Sequence, residues 1–210
     1  MAKLDELKVA VEKGKAKLVP GLVQATLDEG TAPADALNAM IDSMGVVGEN
    51  FKNGTIFVPE MLIAAKAMKK GVEVLKPLLE SGEAGAKGKV IIGTVAGDLH
   101  DIGKNLVAMM IESTGFEVVD LGIDVPVEKF LEAANDPEVN VIGVSALLTT
   151  TMPAMKETVA ALNKHARRGE FKIMVGGAPI TQAFADEIGA DVYTEDAASA
   201  GQAAKALANA

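Results

Sequence analysis

Five short apolar runs, each followed by a helix-like segment, constrain this chain more than any other feature. They are KVIIGTVA (89–96), FEVVDLG (116–122), VNVIGVSAL (139–147), KIMVGGA (172–178) and ADVYTE (190–195). The segments IGKNLVAMMIESTG, PVEKFLEAAN, MPAMKETVAALNKHARR, ITQAFADEIG and AASAGQAAKALANA follow them in turn, patterned as helices. Strands this short and this apolar are buried on both faces, and β–α repeats of this length wind into a parallel, doubly wound sheet. Such sheets bind ligands beyond the carboxyl ends of the strands, near the point where strand order reverses. Chemistry is therefore expected at the strand ends GDLHDIG, SALLTTT and GGAP.

The first 82 residues read as helix throughout. LDELKVAVEKG places Leu4, Leu7 and Val11 at helical spacing and stops at Gly14. AKLVPGLVQATLDEG is interrupted early by Pro20 and closed by Gly30. TAPADALNAMIDSMGVVGENF offers Thr31 as an N-cap, with Pro33 in the first turn. PEMLIAAKAMKKGVEVLKPLLE starts at Pro59 with a stripe of Leu62, Ala65, Met68 or Lys69, Val72 and Leu75. Four helices with short connections predict a small bundle. The Gly-rich stretch that follows reads as a linker. The predicted organisation is a helical domain over 1–82, a linker over 83–88 and an α/β domain over 89–210.

Composition narrows the chemistry. With 210 residues and 49% hydrophobic content, one or two domains can bury a core, and no run is long enough to span a bilayer. MAKLDELKVAVEKGK is no signal peptide, so a soluble cytoplasmic protein is expected. A net charge of −9, no Trp and one Tyr argue against nucleic acid and anionic membranes as partners. The absence of cysteine removes disulfides, thiolate nucleophiles and cysteine-ligated zinc or iron–sulfur clusters. Histidine chemistry must use His100 or His165. His165, in NKHARRG at a predicted helix end, is explained by a favourable dipole contact. Lys69–Lys70 and Arg167–Arg168 read as solvated helix faces.

Asp98, His100 and Gly103 form D-x-H-x-x-G at the first strand end. With 41 residues between, Ser145 and Leu147 form S-x-L, and after a further 28 come Gly176 and Gly177. This series resembles the cobalamin-binding motif of corrinoid proteins, and the upstream bundle looks like the cap of the methionine synthase type and of the small methyltransferase corrinoid proteins. The resemblance covers nearly the whole chain. It implies a four-helix bundle followed by a Rossmann- or flavodoxin-like domain, an α + α/β architecture.

The resemblance also implies roles. Cobalamin would bind base-off, its benzimidazole tail in a slot of the sheet domain and His100 as lower axial ligand of cobalt. Asp98 matches the partner that fixes the histidine tautomer. The relay hydroxyl falls at Thr151, a threonine where the family has serine. Thr149 and Thr150 stand beside it, and which hydroxyl serves is left open. Gly97, Leu99, Asp101 and Ile102 share the histidine loop. Gly176, Gly177 and Ala178 would line the slot, Gly103 would let the first helix approach it, and Tyr193 in YTED ends the last strand beside it. In GTIFVPEML, Ile56, Phe57 and Val58 stand in an expected loop, as a hydrophobic staple or as a lid over the upper corrin face. Val58, Met61 and Met44 are the cap contacts named on that reading, although Met40, Met44, Met61 and Met68 also suit plain core packing.

The function implied is that of a methyl carrier, with cob(I)alamin and methylcobalamin as its working forms. A substrate-specific methyltransferase would load the methyl group, and a second would pass it to tetrahydrofolate or a thiol. A reductive activator would restore the corrinoid. The 81–89 stretch would be the hinge. A phenyl methyl ether, as in O-demethylase systems, is favoured slightly as donor over methylamines and methanol, although no residue selects it. The rivals are a mutase subunit, which the upstream bundle argues against, and a cobalamin-sensing regulator, which lacks a basic DNA-reading module.

Overall fold

Neighbouring residues on one strand point to opposite faces. Val90 and Ile91, Val141 and Ile142, and Ile173 and Met174 are all buried, so the sheet has a core on each side. The computed structural model describes residues 2–80 and 88–207. Its strands are β1 (Lys89–Thr94), β2 (Glu117–Asp120), β3 (Val139–Ser145), β4 (Lys172–Gly176) and β5 (Val192–Thr194). They form one parallel sheet in the order β2-β1-β3-β4-β5. The chain steps outward from β1 to β2 and then returns to pair β3 with β1. The switch point therefore lies between the ends of β1 and β3, where Thr94 pairs with Ser145.

The helices of this part are α5 (Ile102–Glu112), α6 (Val127–Ala133), α7 (Met152–Leu162), α8 (Gln182–Ile188) and α9 (Ala197–Leu207), numbered after the four N-terminal helices. On one face Phe130, Met155, Val159, Leu162 and Ile188 pack with Ile91, Ile142 and Ile173. On the other Ile111, Ala200 and Ala204 pack with Val90, Val141 and Met174. The expected doubly wound sheet is present, with α6, α7 and α8 on one side and α5 and α9 on the other.

The N-terminal part contains α1 (Ala2–Glu12), α2 (Val19–Asp28), α3 (Pro33–Lys52) and α4 (Val58–Glu80). Three details differ from the sequence reading. Pro20 does not interrupt a helix, because α2 starts at Val19 and the proline falls in its first turn, where no N–H is missed. Ala32, not Thr31, occupies the N-cap position of α3, with no side-chain cap. The buried face of α4 runs through Met61, Ala64, Ala65, Met68, Gly71 and Leu75, leaving Leu62 and Val72 half-buried. Alanines at Ala64, Ala65 and Ala67 give this helix more than one plausible apolar stripe. Val58 is its first residue, and the Glu60 carboxylate accepts from the Phe57 N–H at 3.1 Å.

The chain divides into two compact units, Met1–Lys87 with Glu112–Gly115, and Gly88–Ile111 with Phe116–Ala210. The linker named over 83–88 lies, except for Gly88, outside the described residues. None of the described helices is long and apolar enough to cross a membrane.

Two basic positions are not solvated helix faces. The Arg168 guanidinium bonds Asn163, the Phe171 carbonyl and Asp191, and that of Arg167 reaches the carbonyls of Ala134 and Asp136. His165 lies just beyond the end of α7; its N–H donates to the Leu162 carbonyl at 3.1 Å, and its ring Nδ1 accepts from the Arg167 N–H at 3.2 Å.

Candidate functional site

The site is built where β1 and β3 end. After Thr94 the chain turns through Gly97, at φ 79°, and reaches Asp98, whose side chain is 0% exposed. A carboxylate so placed needs donors on every lone pair. Four are supplied. Oδ2 accepts from the Leu147 N–H at 2.7 Å and the Thr151 hydroxyl at 2.7 Å. Oδ1 accepts from the His100 N–H at 3.1 Å and faces His100 Nδ1 at 2.9 Å. Burial alone would raise the Asp98 carboxyl. The bonds from Leu147, Thr151 and His100 outweigh it and hold the group well below the usual carboxylate range.

An ionised carboxylate only accepts, so His100 Nδ1 carries a proton, and in the neutral ring Nε2 then presents its lone pair. Among the described residues nothing bonds Nε2, and the ring is 51% exposed. The Thr94 hydroxyl donates to the His100 carbonyl at 2.9 Å and fixes the backbone beneath the ring. The chain thus aims one unpartnered imidazole nitrogen outward from a buried anionic anchor. This arrangement suits metal ligation by a neutral histidine held by a carboxylate.

Of the three threonines, Thr151 reaches Asp98. It closes a short 3-10 turn over Thr149–Thr151 and also lies 2.9 Å from the Leu148 carbonyl, while Thr149 and Thr150 are exposed. Asp101 is exposed and accepts from the Asn105 side chain. Leu99, Ile102, Leu147 and Leu148 are all exposed, Leu99 at 67% and Ile102 at 78%. Four large apolar side chains around one histidine form the kind of patch that marks a binding surface.

Ser145 is half-buried and pairs in register with Gly176, and Ala178 is exposed just beyond. Gly177 has a φ of 134°, and a Cβ there would lie 1.8 Å from the Ala146 carbonyl oxygen. The close approach of the β3 end therefore demands this glycine by itself. At Gly176 a Cβ would meet the Thr194 carbonyl at 3.0 Å. At Gly103 a Cβ would meet nothing within 4 Å. Glycine inside a helix costs about 1 kcal/mol relative to alanine, and protein packing gives no reason for it here. Open space beside an exposed, aimed histidine fits a large planar group, so these residues fit a cobalamin. Tyr193 is half-buried against the core on the α6–α8 side.

Val58, Met61 and Met44 belong to the N-terminal unit, where Met44 and Met61 are buried, as are Met40 and Met68. Four residues at the sheet site went unnoticed in the sequence. They are Thr94, Asp124, and the pair Lys104 and Asp120. Asp124 accepts from the Gly97 N–H at 2.7 Å. Lys104 is 1% exposed at its side chain, and its ammonium bonds Asp120 and, at 2.8 Å, Asn105. The run DLGIDVP was the available signal, since it sets two acids beside a strand end on the binding edge of the sheet.

The comparisons with known proteins give the family. Residues 88–204 match a family described as B12 binding domain, and residues 3–76 match a second family of the same description. Dimethylamine corrinoid protein 1 of Methanosarcina acetivorans is 44% identical over 206 residues, covering 98% of this chain and 91% of that one. A crystal structure of a cobalamin-binding protein from Desulfitobacterium hafniense DCB-2 aligns with a TM-score of 0.83 at 30% identity, over 97% of this chain and 98% of that one. A chain of the methanol:cobalamin methyltransferase complex MtaBC from Methanosarcina barkeri aligns with a TM-score of 0.83 at 34% identity, over 99% of this chain and 80% of that one. The chain belongs to the B12-binding proteins. It is a cobalamin-binding corrinoid protein of methyltransferase systems.

Proposed function

We propose that this chain carries methyl groups between two methyltransferases on a cobalamin held base-off, with His100 Nε2 as the lower axial ligand. The observation that carries the reading is the locked ring: Nδ1 is bound to a buried, ionised Asp98 and Nε2 is left open. When bound, cobalamin supplies a cobalt centre that accepts a methyl group as a nucleophile and yields it as an electrophile. The protein's part is positional. Asp98 fixes the tautomer and direction of the ring, and Thr151 and the Leu147 N–H fix Asp98. Leu99, Ile102, Leu147 and Leu148 offer an apolar seat, and the strand ends at Ser145, Gly176 and Gly177 would flank the cofactor tail.

For the donor, the relatives named for dimethylamine and methanol favour a methylamine or methanol over a phenyl methyl ether. A methylamine is the donor we adopt. Tetrahydrofolate or a thiol as acceptor, and a reductive activator, complete the proposed system.

The test is a visible spectrum of purified protein after mixing with hydroxocobalamin and desalting, with His100→Ala beside it. The wild type is expected to retain cobalamin with a histidine-dependent spectrum. The variant is expected to retain it through the tail but to lose that spectrum. Identical spectra would remove His100 from the cobalt.

A further inference from the structure

The loop after β2 grips the histidine loop from the side opposite Thr151. It is sewn to the end of β1, with the Thr94 N–H donating to the Gly122 carbonyl at 3.0 Å and the Val125 N–H to the Thr94 carbonyl at 2.9 Å. Between these two ties stands Asp124, with its carboxylate in solvent. Its Oδ1 accepts from the Gly97 N–H at 2.7 Å, and its own N–H donates to the Asp98 carbonyl at 3.0 Å. One residue therefore holds the backbone on both sides of the Cα that carries the Asp98 side chain.

Asp124 does this from a strained position. Its φ is 51°, and among the described residues it alone has a positive φ without being glycine. That conformation is unfavourable for an ordinary L-residue, and aspartate is one of the few that tolerate it. An exposed side chain gains no packing in return. What the conformation secures is the pair of bonds to Gly97 and Asp98. Strain of this kind, held by surrounding ties, collects at functional sites.

We infer that Asp124 is a positioning residue for His100: it fixes the Gly97–Asp98 backbone, and through Asp98 the direction of Nε2. The inference rests on the reading of His100 as axial ligand. The loop is braced at its base as well, where Asp120 binds the buried Lys104 ammonium in the first turn of α5 and accepts from the Gly122 N–H at 2.8 Å. The histidine loop is thus tied to the β2 end both before and after the histidine.

The test uses the full chain grown with nitrogen-15 histidine, loaded with cobalamin and reduced to the cob(II)alamin state. In the electron paramagnetic resonance spectrum a histidine ligand then splits each cobalt line into a doublet, whereas the cofactor's own base gives a triplet. Four proteins are compared: wild type, His100→Ala, Asp124→Asn and Asp124→Gly. Glycine accepts the backbone conformation and removes the carboxylate, while asparagine keeps an acceptor and tolerates the conformation.

The doublet is expected in the wild type and absent in His100→Ala. In Asp124→Gly the ratio of ligated to unligated histidine is expected to fall about fivefold to tenfold, the net weight of one ordinary solvent-exposed hydrogen bond. In Asp124→Asn it is expected to stay within about twofold of the wild type, because the acceptor is retained. If wild type and His100→Ala share one spectrum, the ligand reading itself fails. If they differ but Asp124→Gly matches the wild type, or Asp124→Asn falls as far as Asp124→Gly, the positioning role is overturned. Amide exchange at Gly97 in the cofactor-free protein gives a second measurement that does not require cobalamin to bind. It is expected to speed up about tenfold in Asp124→Gly, and an unchanged rate would overturn the inference.

Discussion

Replacing Gly177 by alanine is expected to destabilise the sheet unit by about 3–5 kcal/mol, the combined weight of a strained backbone and a forced displacement of packed atoms. A Cβ at this position would lie 1.8 Å from the Ala146 carbonyl oxygen and 2.8 Å from its carbon. Both are backbone atoms, so no side chain can swing aside. The φ of 134° adds a conformation that alanine rarely adopts. Relief requires the β3 and β4 ends to part, and those ends carry Ser145, Leu147 and Gly176. The variant is therefore expected to lose cobalamin affinity together with stability. The measurement is urea unfolding followed by tyrosine fluorescence. Tyr193 is the chain's one tyrosine and lies on β5, so the signal reports the sheet unit, free of tryptophan. The expected result is a lower midpoint with an unchanged slope. A loss below about 1 kcal/mol would mean that the Ala146 strand end yields cheaply and that the clash is not what keeps glycine there.

Asp98→Asn should cost about 3 kcal/mol at neutral pH, because an amide cannot accept from all four donors that the carboxylate satisfies. The Leu147 N–H and the Thr151 hydroxyl meet one oxygen, and the His100 N–H and ring meet the other. An asparagine places an NH2 against one of these pairs. The dependence on pH follows in sign. The folded state holds the Asp98 carboxyl far below its ordinary value of 3.8. Its stabilisation is therefore complete above that value and is lost as pH falls from there toward the folded-state value. Wild type should lose stability through that acid window, while the asparagine variant, having no proton to take up at this position, should not follow it. The gap between the two proteins should narrow from pH 7 to pH 3. A gap of constant size would show that the ionised carboxylate is not the stabilising form.

Much of this architecture could be read from residue order because it rests on period and length. Runs such as KVIIGTVA and VNVIGVSAL are too short and too apolar for anything but doubly buried strands, and their spacing leaves room for one helix each. The site was legible where the chemistry is dense: Asp98, His100 and Thr151 are polar groups at apolar strand ends, spaced as in the corrinoid proteins. Asp124 was not legible, because it acts through the backbone of Gly97 and Asp98, and backbone partners leave no mark on the residue pattern. Lys104 carried no signal either, because its burial depends on where the β2 end comes to rest. Gly177 was assigned to a ligand slot, yet the protein's own Ala146 carbonyl already requires it. In the bundle, Pro20 and the phase of α4 went astray for local reasons. A proline in the first turn and one in the interior look alike in sequence, and an alanine-rich helix has no single apolar stripe.

The bonds that set Asp98 span 49 residues to Leu147 and 53 to Thr151. His100 and its anchor are made early in translation, but the groups that orient them emerge only when the third strand and its following turn have been synthesised. Until then the histidine is a free imidazole on a loop, with neither tautomer nor direction assigned. On the proposed role of His100, a nascent chain would lack an oriented ligand until the segment through Thr151 has folded. The separation would then place the folding of the third strand and its following turn before cofactor insertion.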